Sequence, residues 1–324
     1  MKSGVLLQQN LLAILDIARL APSVHNTQAW VVKHHDNSLI VSVDPAHQLG
    51  DGDPTGRQTI ISLGIFCESI ILAAASVGLK AGTINLQDRG TVIISFVAAP
   101  IQPDALKACE NLRNRASDRS IYRHVDINPL LVESLEACSV AQKTTVRVST
   151  NTAIMEQLAT LIGKAINVAL SSPGFRRELS QYLVVQGSRK LRGIAVGSLY
   201  INPLIARLQP FMLRHGINMG AEAKLERQRW QSASAVLVIT APGDIPKYWL
   251  EVGRTYLQVS LAIEKAGLSQ ATSAAIVEAS NYHDDIEASF GTTERILAVI
   301  RIGAGSCKRK YSPRINAETI LTSI

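Results

Sequence analysis

The sequence predicts an α+β protein, because helical and strand patterns are interspersed without the regular alternation of a doubly wound sheet. Residues 57–79 form the most apolar long segment and are apolar on every side, which predicts a buried helix. Three residue pairs in this segment recur as similar pairs 189 positions later. They are Leu63-Gly64, Leu72-Ala73 and Gly78-Leu79, then Val252-Gly253, Leu261-Ala262 and Gly267-Leu268. The recurrence predicts two copies of one helix, with chance as the alternative because the identities are few.

The elements that flank the buried helix follow from local signals. A helix over residues 4–20 ends before Pro22, because a residue that precedes proline is pushed out of the helical region. Residues 30–34 and 39–43 read as two short strands of a hairpin. Residues 91–99 are rich in Val and Ile, which predicts a further strand.

The buried helix itself has two candidate starts and one end. Either Asp53 caps it with Pro54 in the first helical position, or Thr55 and Gln58 form a capping box. Gly78 is the residue that turns left-handed after the last helical turn.

The later elements are predicted in the same way. Helices are expected at residues 104–112, 128–138, 152–170 and 245–266, and strands at 144–149, 234–241 and 296–302. Residues 173–229 are mixed and mostly helical, with repeated Gly and Pro breaks. In the helix at 245–266, the residues that lie away from the apolar stripe are Arg254, Gln258, Glu264 and Lys265.

Composition bounds the class of protein. The 324 residues are 47% apolar and 18% charged, typical of a globular protein with two domains or one doubled domain. The formal charge of +7 is scattered, with small basic clusters at 113–123, 188–192 and 308–314. Aromatic residues are only 5%, so base stacking has little to work with, and we expect no nucleic-acid partner. The local clusters favour an anionic small ligand.

The sequence argues against a metal site, an export signal and a membrane span. The cysteines show no CxxC spacing, which predicts reduced thiols, a cytoplasmic location and no metal site. They are Cys67, Cys109, Cys138 and Cys307. Asn10, Asp16 and Arg19 interrupt the first apolar run, so it predicts a helix and not an export signal. Gln58 and Glu68 argue against a membrane span at 57–79, and we expect no membrane partner.

Three short motifs carry a family resemblance. Residues 21–30, APSVHNTQAW, resemble the "APS.N.QPW" element of the nitroreductase family, in the SxHNxQ form of its two-domain Acg-like branch. Ala29 replaces the usual proline. Residues 115–119, RASDR, resemble the family's RxSxR opening, and Tyr122 follows where an aromatic residue is usual. Residues 310–314 resemble a late basic element near the cofactor phosphate.

The resemblance implies an α+β nitroreductase fold with two fused repeats that form an intramolecular pseudo-dimer. The repeats would be residues 1–102 and 103–324, with a helical, lid-like insertion at about 173–229. FMN would bind between them, at one site or at two, and pass electrons from NAD(P)H to a nitroaromatic or quinone-like acceptor. The alternative is an FMN-sequestering protein with little or no turnover. The monomeric pseudo-dimer is expected, and further pairing into a homodimer is left open.

The resemblance also implies the cofactor-binding residues, while the flavin carries the chemistry and no side chain is catalytic. They are Ser23, His25, Asn26, Gln28, Arg115, Ser117, Arg119, Gly193 and Arg314. Gly193 would bring a backbone amide near the flavin N5. Structural roles are the alternatives: the polar residues of 23–28 would cap a turn. Arg115 and Arg119 would lie on a solvated helix face or pair with Asp118 and Asp126.

Overall fold

The computed structural model describes residues 3–139, 143–279, 282–306 and 310–322. Its longer helices are α1 (Ser3–Ala18), α2 (Arg57–Ala75), α3 (Pro103–Asn114), α4 (Pro129–Glu136), α5 (Thr152–Ser171), α6 (Pro173–Gln181), α7 (Pro203–His215), α8 (Met219–Gln231) and α9 (Pro246–Lys265). Three short helices follow: α10 (Ala275–Glu278), α11 (His283–Ser289) and α12 (Ala317–Ile320). The strands are β1 (Trp30–His35), β2 (Ser38–Val43), β3 (Leu79–Gln87), β4 (Thr91–Ala98), β5 (Thr145–Ser149), β6 (Leu183–Val184), β7 (Ile194–Ala195), β8 (Ala235–Ala241), β9 (Ser269–Thr272) and β10 (Arg295–Gly303). The predicted α+β class is confirmed.

The strands form two four-stranded antiparallel sheets and one short parallel pair. The first sheet has the order β1-β2-β4-β3 and the second the order β5-β8-β10-β9, while β6 pairs with β7. The first sheet lies before the boundary predicted at residue 102 and the second lies after it. The division into units 1–102 and 103–324 stays a prediction.

The two helices with the recurring signature, α2 and α9, pack directly against each other. Their crossing point is a pair of glycines: a Cβ atom built on Gly64 would lie 3.1 Å from the Gly253 Cα and would overlap the Leu250 carbonyl. A Cβ on Gly253 would lie 3.0 Å from the Gly64 Cα and overlap the Ile61 carbonyl. The glycines therefore let two helix backbones touch, which explains why both copies of the signature carry one.

Charged side chains join the same two helices inside the core. The Glu68 carboxylate, 4% exposed, accepts hydrogen bonds from Arg254 Nε (2.9 Å) and Gln258 Nε2 (2.7 Å). The polar face predicted on α9 is thus turned toward α2 at these two residues. Near the start of α2, Arg57 pairs with Asp244 (2.6 Å) and Glu278 (3.1 Å).

We expect the substitution Arg57→Met to destabilise the fold by about 1.5–3 kcal/mol, because it removes the buried guanidinium (5% exposed) that pairs with Asp244 and Glu278. The free energy of unfolding in urea measures the effect. Arg123→Met, at an exposed position, is the matched control and should change it little. Equal unfolding midpoints for the two variants would show that the Arg57 cluster does not hold the fold together.

The apolar core has three parts. The largest joins α1, α2 and α9 to the inner faces of both sheets. A second lies between α5, α8 and the other face of the second sheet, around Trp230. The third lies mostly in residues 173–229, called the lid segment from here on, and packs β6 and β7 against α7 and against Leu170 of α5. This small cluster is called the lid core.

Two helices in the described ranges, α2 and α5, are long and apolar enough to cross a membrane by length and composition alone. For α2, 78% of the most apolar window is buried inside the protein, and for α5 the share is 44%. The apolar character of α2 is accounted for by its place in the core.

The start of α2 differs from both predictions. The helix begins at Arg57 after Gly56, whose φ of 76° is left-handed, so Pro54 is not its first residue. The Asp53 carboxylate still accepts hydrogen bonds from the backbone N–H groups of Gln58 (3.0 Å) and Thr59 (2.7 Å). The predicted capping box is wrong, because the Gln58 side chain donates to Glu278 instead of to the backbone at the helix start.

Several elements were not predicted, namely β3, β6, β7, β9, α10, α11 and α12. Strand β3 begins directly after Gly78, which ends the helix as expected with a φ of 83°. It is the edge strand of its sheet and carries exposed residues at Lys80 and Gly82–Thr83, so it lacks the apolar alternation that marks a strand.

Free cysteines are found in the described ranges at Cys67, Cys109 and Cys138, and Cys307 lies outside those ranges. Burial raises the pKa of the Cys67 thiol. No group of three His, Cys, Asp or Glu side chains among the described residues is arranged to hold a metal ion.

The chain returns to the first sheet after β10. Leu321 forms a parallel bridge with Val32, and the Thr322 N–H donates to the Val32 carbonyl (2.9 Å). This return brings residues 310–316 beside residues 21–30, which are almost three hundred positions away in the sequence.

Candidate functional site

Six of the nine predicted cofactor-binding residues line one pocket. They are Ser23, Asn26, Arg115, Ser117, Arg119 and Arg314. Pro22, Ala116, Ile194, Lys310, Tyr311 and Ser312 complete the lining. The cavity volume of this pocket is about 50 Å³. Four segments that are distant in sequence therefore meet around one small polar pocket, and a ligand larger than a phosphate group would have to widen it, since ligand pockets usually measure roughly 300–1,000 Å³.

The segment 23–28 enters the pocket in an unusual backbone conformation. His25 (φ 45°), Asn26 (φ 54°) and Gln28 (φ 49°) are all left-handed, although none is glycine. Such residues cost free energy and persist where the surrounding structure fixes them, often at functional sites. Here the Ser23 hydroxyl accepts from the Gln28 N–H (3.0 Å), and the Val24 N–H donates to Ser62 of α2 (3.0 Å). Ser23 thus has the structural role that was the alternative, and it also lines the pocket.

Asn26 connects the pocket to two other segments. Its side-chain amide, 7% exposed, donates to the carbonyls of Gly193 (2.8 Å) and Pro313 (2.9 Å). Its Oδ1 accepts from Arg314 Nη1 (2.7 Å). The Asn26 carbonyl accepts the Gly193 N–H (3.0 Å), so donation by that N–H to a flavin N5 would require this hydrogen bond to break.

Gly193 itself has the backbone conformation of a tight contact. Its φ is 113°, and a Cβ there would overlap the Tyr182 carbonyl. Only glycine fits this position without strain. The structure therefore gives Gly193 a packing role beside Asn26.

Gln28 lies behind the pocket wall. It is fully buried: its Nε2 donates to the Leu191 carbonyl (2.8 Å), and its Oε1 accepts the Ile315 N–H (3.0 Å). Arg192 donates to the carbonyls of Thr27 (2.8 Å) and Gln28. Residues 191–193 of the lid segment are thereby fastened to residues 26–28, and we call this set of hydrogen bonds the latch.

His25 also lies outside the pocket lining, under the lid segment. Its ring packs edge-on against Phe175 of α6 with centroids 5.9 Å apart. Burial, and then the positive charge of Arg119, lower the pKa of His25 to about 4, so the ring is neutral at pH 7. Its Nδ1 has no hydrogen-bond partner among the described residues. Next to it, the Glu178 carboxylate of α6 accepts the N–H groups of Gly50 and Gly52 (2.6 Å each).

Three arginines meet at the pocket. Burial, and then the charges of Arg115 and Arg19, lower the pKa of Arg314 to about 9. Burial also lowers the pKa of Arg119, with a further lowering by Arg229 and an opposing effect of Glu226. The Nε atom of Arg314 has no acceptor among the residues that the structure describes. Cations that are buried and repel one another favour an anion between them.

The helix-face alternative for Arg115 and Arg119 is wrong, because α3 ends at Asn114 and residues 115–119 follow it outside any helix. The Asp118 carboxylate accepts the N–H groups of Ser120 and Ser306 (both 2.8 Å). These hydrogen bonds hold the loop at 115–119 in place, and Arg115 and Arg119 line the pocket.

Arg301 supports this loop and was not singled out from the sequence. It is fully buried in β10, stacks on Tyr122 (3.9 Å to the ring centroid) and donates to the carbonyls of Asp118 (3.2 Å) and Ser120 (2.9 Å). The sequence feature that could have indicated Arg301 is a single arginine inside an otherwise apolar strand. Lys310, Tyr311 and Ser312 of the pocket wall were covered only by the weak resemblance of the tail.

Similarity to known proteins is partial. No family model matches the chain. A Mycobacterium tuberculosis protein provisionally named as an NAD(P)H nitroreductase is 33% identical over 115 residues, 34% of this chain and 33% of the relative. The Serratia protein PigM, provisionally named in the same way, is 35% identical over 124 residues, 36% of this chain and 34% of the relative. The chain thus spans about a third of the length of these relatives, and the matched part supports the nitroreductase resemblance.

Solved structures show a distant likeness. A mutant of the FMN and NADPH-dependent nitroreductase NfnB from Sphigopyxis is 16% identical, with 66% of this chain and 97% of that chain covered and a TM-score of 0.44. The FMN-dependent nitroreductase NfnB from Mycobacterium smegmatis, in complex with NADPH, is 19% identical, with 62% and 89% covered and a TM-score of 0.41.

Proposed function

We propose that this protein binds FMN in the pocket between residues 23–28, 115–119 and 310–314 and works as a nitroreductase-like oxidoreductase. The observation that carries the proposal is the set of three arginines, Arg115, Arg119 and Arg314, on one pocket. A phosphate group fits them because it supplies the negative charge and the acceptors that buried guanidinium groups require. The partial likeness to proteins named NAD(P)H nitroreductases agrees with this chemistry.

In this proposal, the three arginines hold the cofactor phosphate. The hydroxyls of Ser23 and Ser117 and the amide of Asn26 line the same pocket and bind the ribityl chain or the ring edge. Bound flavin supplies the hydride chemistry, and the pocket side chains hold the flavin. The proposed electron donor is NAD(P)H, and the proposed acceptor is a nitroaromatic or quinone-like compound. We further propose that the chain consists of two fused units, belongs to the Acg-like branch and works in the cytoplasm.

Steady-state turnover tests the oxidoreductase proposal. FMN-loaded protein should oxidise NADPH faster when a nitroaromatic acceptor is added, and heat-denatured protein with the same FMN is the control. Bound FMN with no acceptor-dependent NADPH oxidation would contradict the proposed reaction while leaving the cofactor site intact.

The second candidate, an FMN-sequestering protein, is favoured by the latch. The lid segment is fastened to the pocket by Asn26, Gln28 and Arg192, which would hinder the access of a second substrate. Under this candidate, the wild-type protein binds FMN with little turnover, and Arg192→Ala raises turnover by loosening the latch. Arg189→Ala, at an exposed position of the same segment, is the matched control.

FMN binding should weaken as the pH rises above about 9, the lowered pKa of Arg314 in the free protein. Bound phosphate favours protonated Arg314, so the full affinity is present below this pKa. Above it, binding must also take up a proton and falls by up to about tenfold per pH unit. Fluorescence titration of FMN at several pH values measures this. Riboflavin shares the ring ionisation but lacks the phosphate, so an equal pH dependence for both ligands would contradict the role of Arg314.

A further inference from the structure

Helix α7 of the lid segment carries two apolar stripes, and only one of them is buried. Ala206 and Leu213 face the lid core, 5% and 3% exposed. On the other side, Leu204 (77% exposed), Leu208 (58%) and Phe211 (59%) follow one another at helical spacing. We call these three side chains the α7 ridge. Three large apolar side chains on one exposed helix face form a patch and not a scatter, and such patches mark interaction surfaces.

The lid segment also carries the whole net charge of the protein. Ten of its residues are Lys or Arg and three are Glu, which gives the same +7 as the full chain. The other twenty-three basic and twenty-three acidic residues balance. Positive charge is therefore concentrated on the part of the molecule that exposes the ridge.

The three acidic residues of the segment are all engaged by donors within the protein. Glu178 accepts the Gly50 and Gly52 N–H groups, Glu222 accepts from Gln209 (2.7 Å), and Glu226 pairs with Arg229 (3.1 Å). In contrast, Arg207 and Arg214 on α7 are exposed. The outer surface around the ridge is consequently basic as well as apolar.

We propose that the α7 ridge docks the protein on an anionic lipid bilayer. A helix with exposed Leu and Phe on one face and arginines beside them has the composition of an interfacial amphipathic helix. The arginines complement anionic headgroups, and the projecting side chains enter the boundary of the acyl region. A second copy of this chain is a poorer occupant, because two segments of charge +7 repel each other.

This proposal extends the function beyond the cofactor pocket and does not depend on it. The sequence-based expectation of no membrane partner concerned a spanning helix at residues 57–79. The contact proposed for the α7 ridge is peripheral, and vesicle binding would overturn the expectation of no membrane partner.

Vesicle flotation with the full chain tests the proposal. Vesicles of phosphatidylcholine alone should bind the protein weakly, and vesicles that also contain phosphatidylglycerol should bind it strongly at low salt and less at high salt. Leu204→Ser, Leu208→Ser and Phe211→Ser combined should weaken partitioning at least about a hundredfold, because three large apolar side chains no longer leave water. Each of Arg207→Gln and Arg214→Gln should weaken it about fivefold.

Leu130→Ser is the matched control, because Leu130 is 71% exposed on α4 outside the lid segment, and it should bind like the wild type. The substituted side chains are all exposed, so the variants should keep the fold, and circular dichroism checks this. No binding of the wild type to anionic vesicles overturns the proposal. A wild-type dimer in sedimentation equilibrium that the triple variant dissolves would also overturn it, by making a second copy the occupant.

Discussion

The double substitution Arg115→Met and Arg119→Met should abolish the retention of FMN through gel filtration. Each arginine can supply charge-assisted hydrogen bonds to a phosphate worth about 1.5–3 kcal/mol, so losing both should weaken binding by at least about a hundredfold. Methionine keeps most of the side-chain length and removes only the guanidinium. Equilibrium titration of FMN fluorescence measures the dissociation constant.

Two controls separate the phosphate site from the fold. Arg113→Met removes an exposed arginine just before the loop and should leave FMN affinity unchanged. Riboflavin, which has no phosphate, should bind the double variant about as well as it binds the wild type. If the double variant kept wild-type FMN affinity, the phosphate would have to bind elsewhere.

The second large effect is expected at the α2–α9 crossing. Gly253→Ala should destabilise the fold by more than about 3 kcal/mol, because the new methyl group meets the Ile61 carbonyl of the facing backbone and no rotamer can relieve the overlap. Gly64→Ala should act in the same way against the Leu250 carbonyl. Urea unfolding of each variant measures the loss.

Gly220→Ala is the matched control for this prediction. Gly220 lies in α8, and a Cβ there would meet no atom within 4 Å. Alanine is the better helix former, so this variant should be stabilised by about 0.5–1 kcal/mol. A tolerated Gly253→Ala would mean that the two helices can separate without loss, against the packing observed.

The long apolar elements were predictable because their patterns report burial directly. The hairpin at residues 30–43 and the helix α9 were expected where the structure places them, and so was α2 apart from its start. Strand β3 was missed because an edge strand with exposed polar residues has no apolar pattern to detect. The start of α2 was misplaced because Asp53 reaches the helix across a left-handed Gly56, a geometry that no residue pattern announces.

The site was predictable in composition but not in its contacts. Short motifs identified the arginines and the polar residues that line the pocket. Nothing local indicates that Asn26 bonds Gly193, 167 positions away, or that Gln28 bonds the Leu191 carbonyl and so lies behind the wall. These partners depend on how the lid segment folds back. Arg301 was overlooked because its partners, the carbonyls of Asp118 and Ser120, lie far from it in the sequence.

The visible spectrum of the purified protein tests the central claim most directly. FMN is added, excess FMN is removed by gel filtration, and the spectrum is recorded before and after anaerobic addition of NADPH. The proposed reductase carries flavin absorbance with the protein, and this absorbance bleaches with NADPH. Absorbance that persists would favour sequestration, and protein that emerges without flavin would contradict the assignment of the pocket.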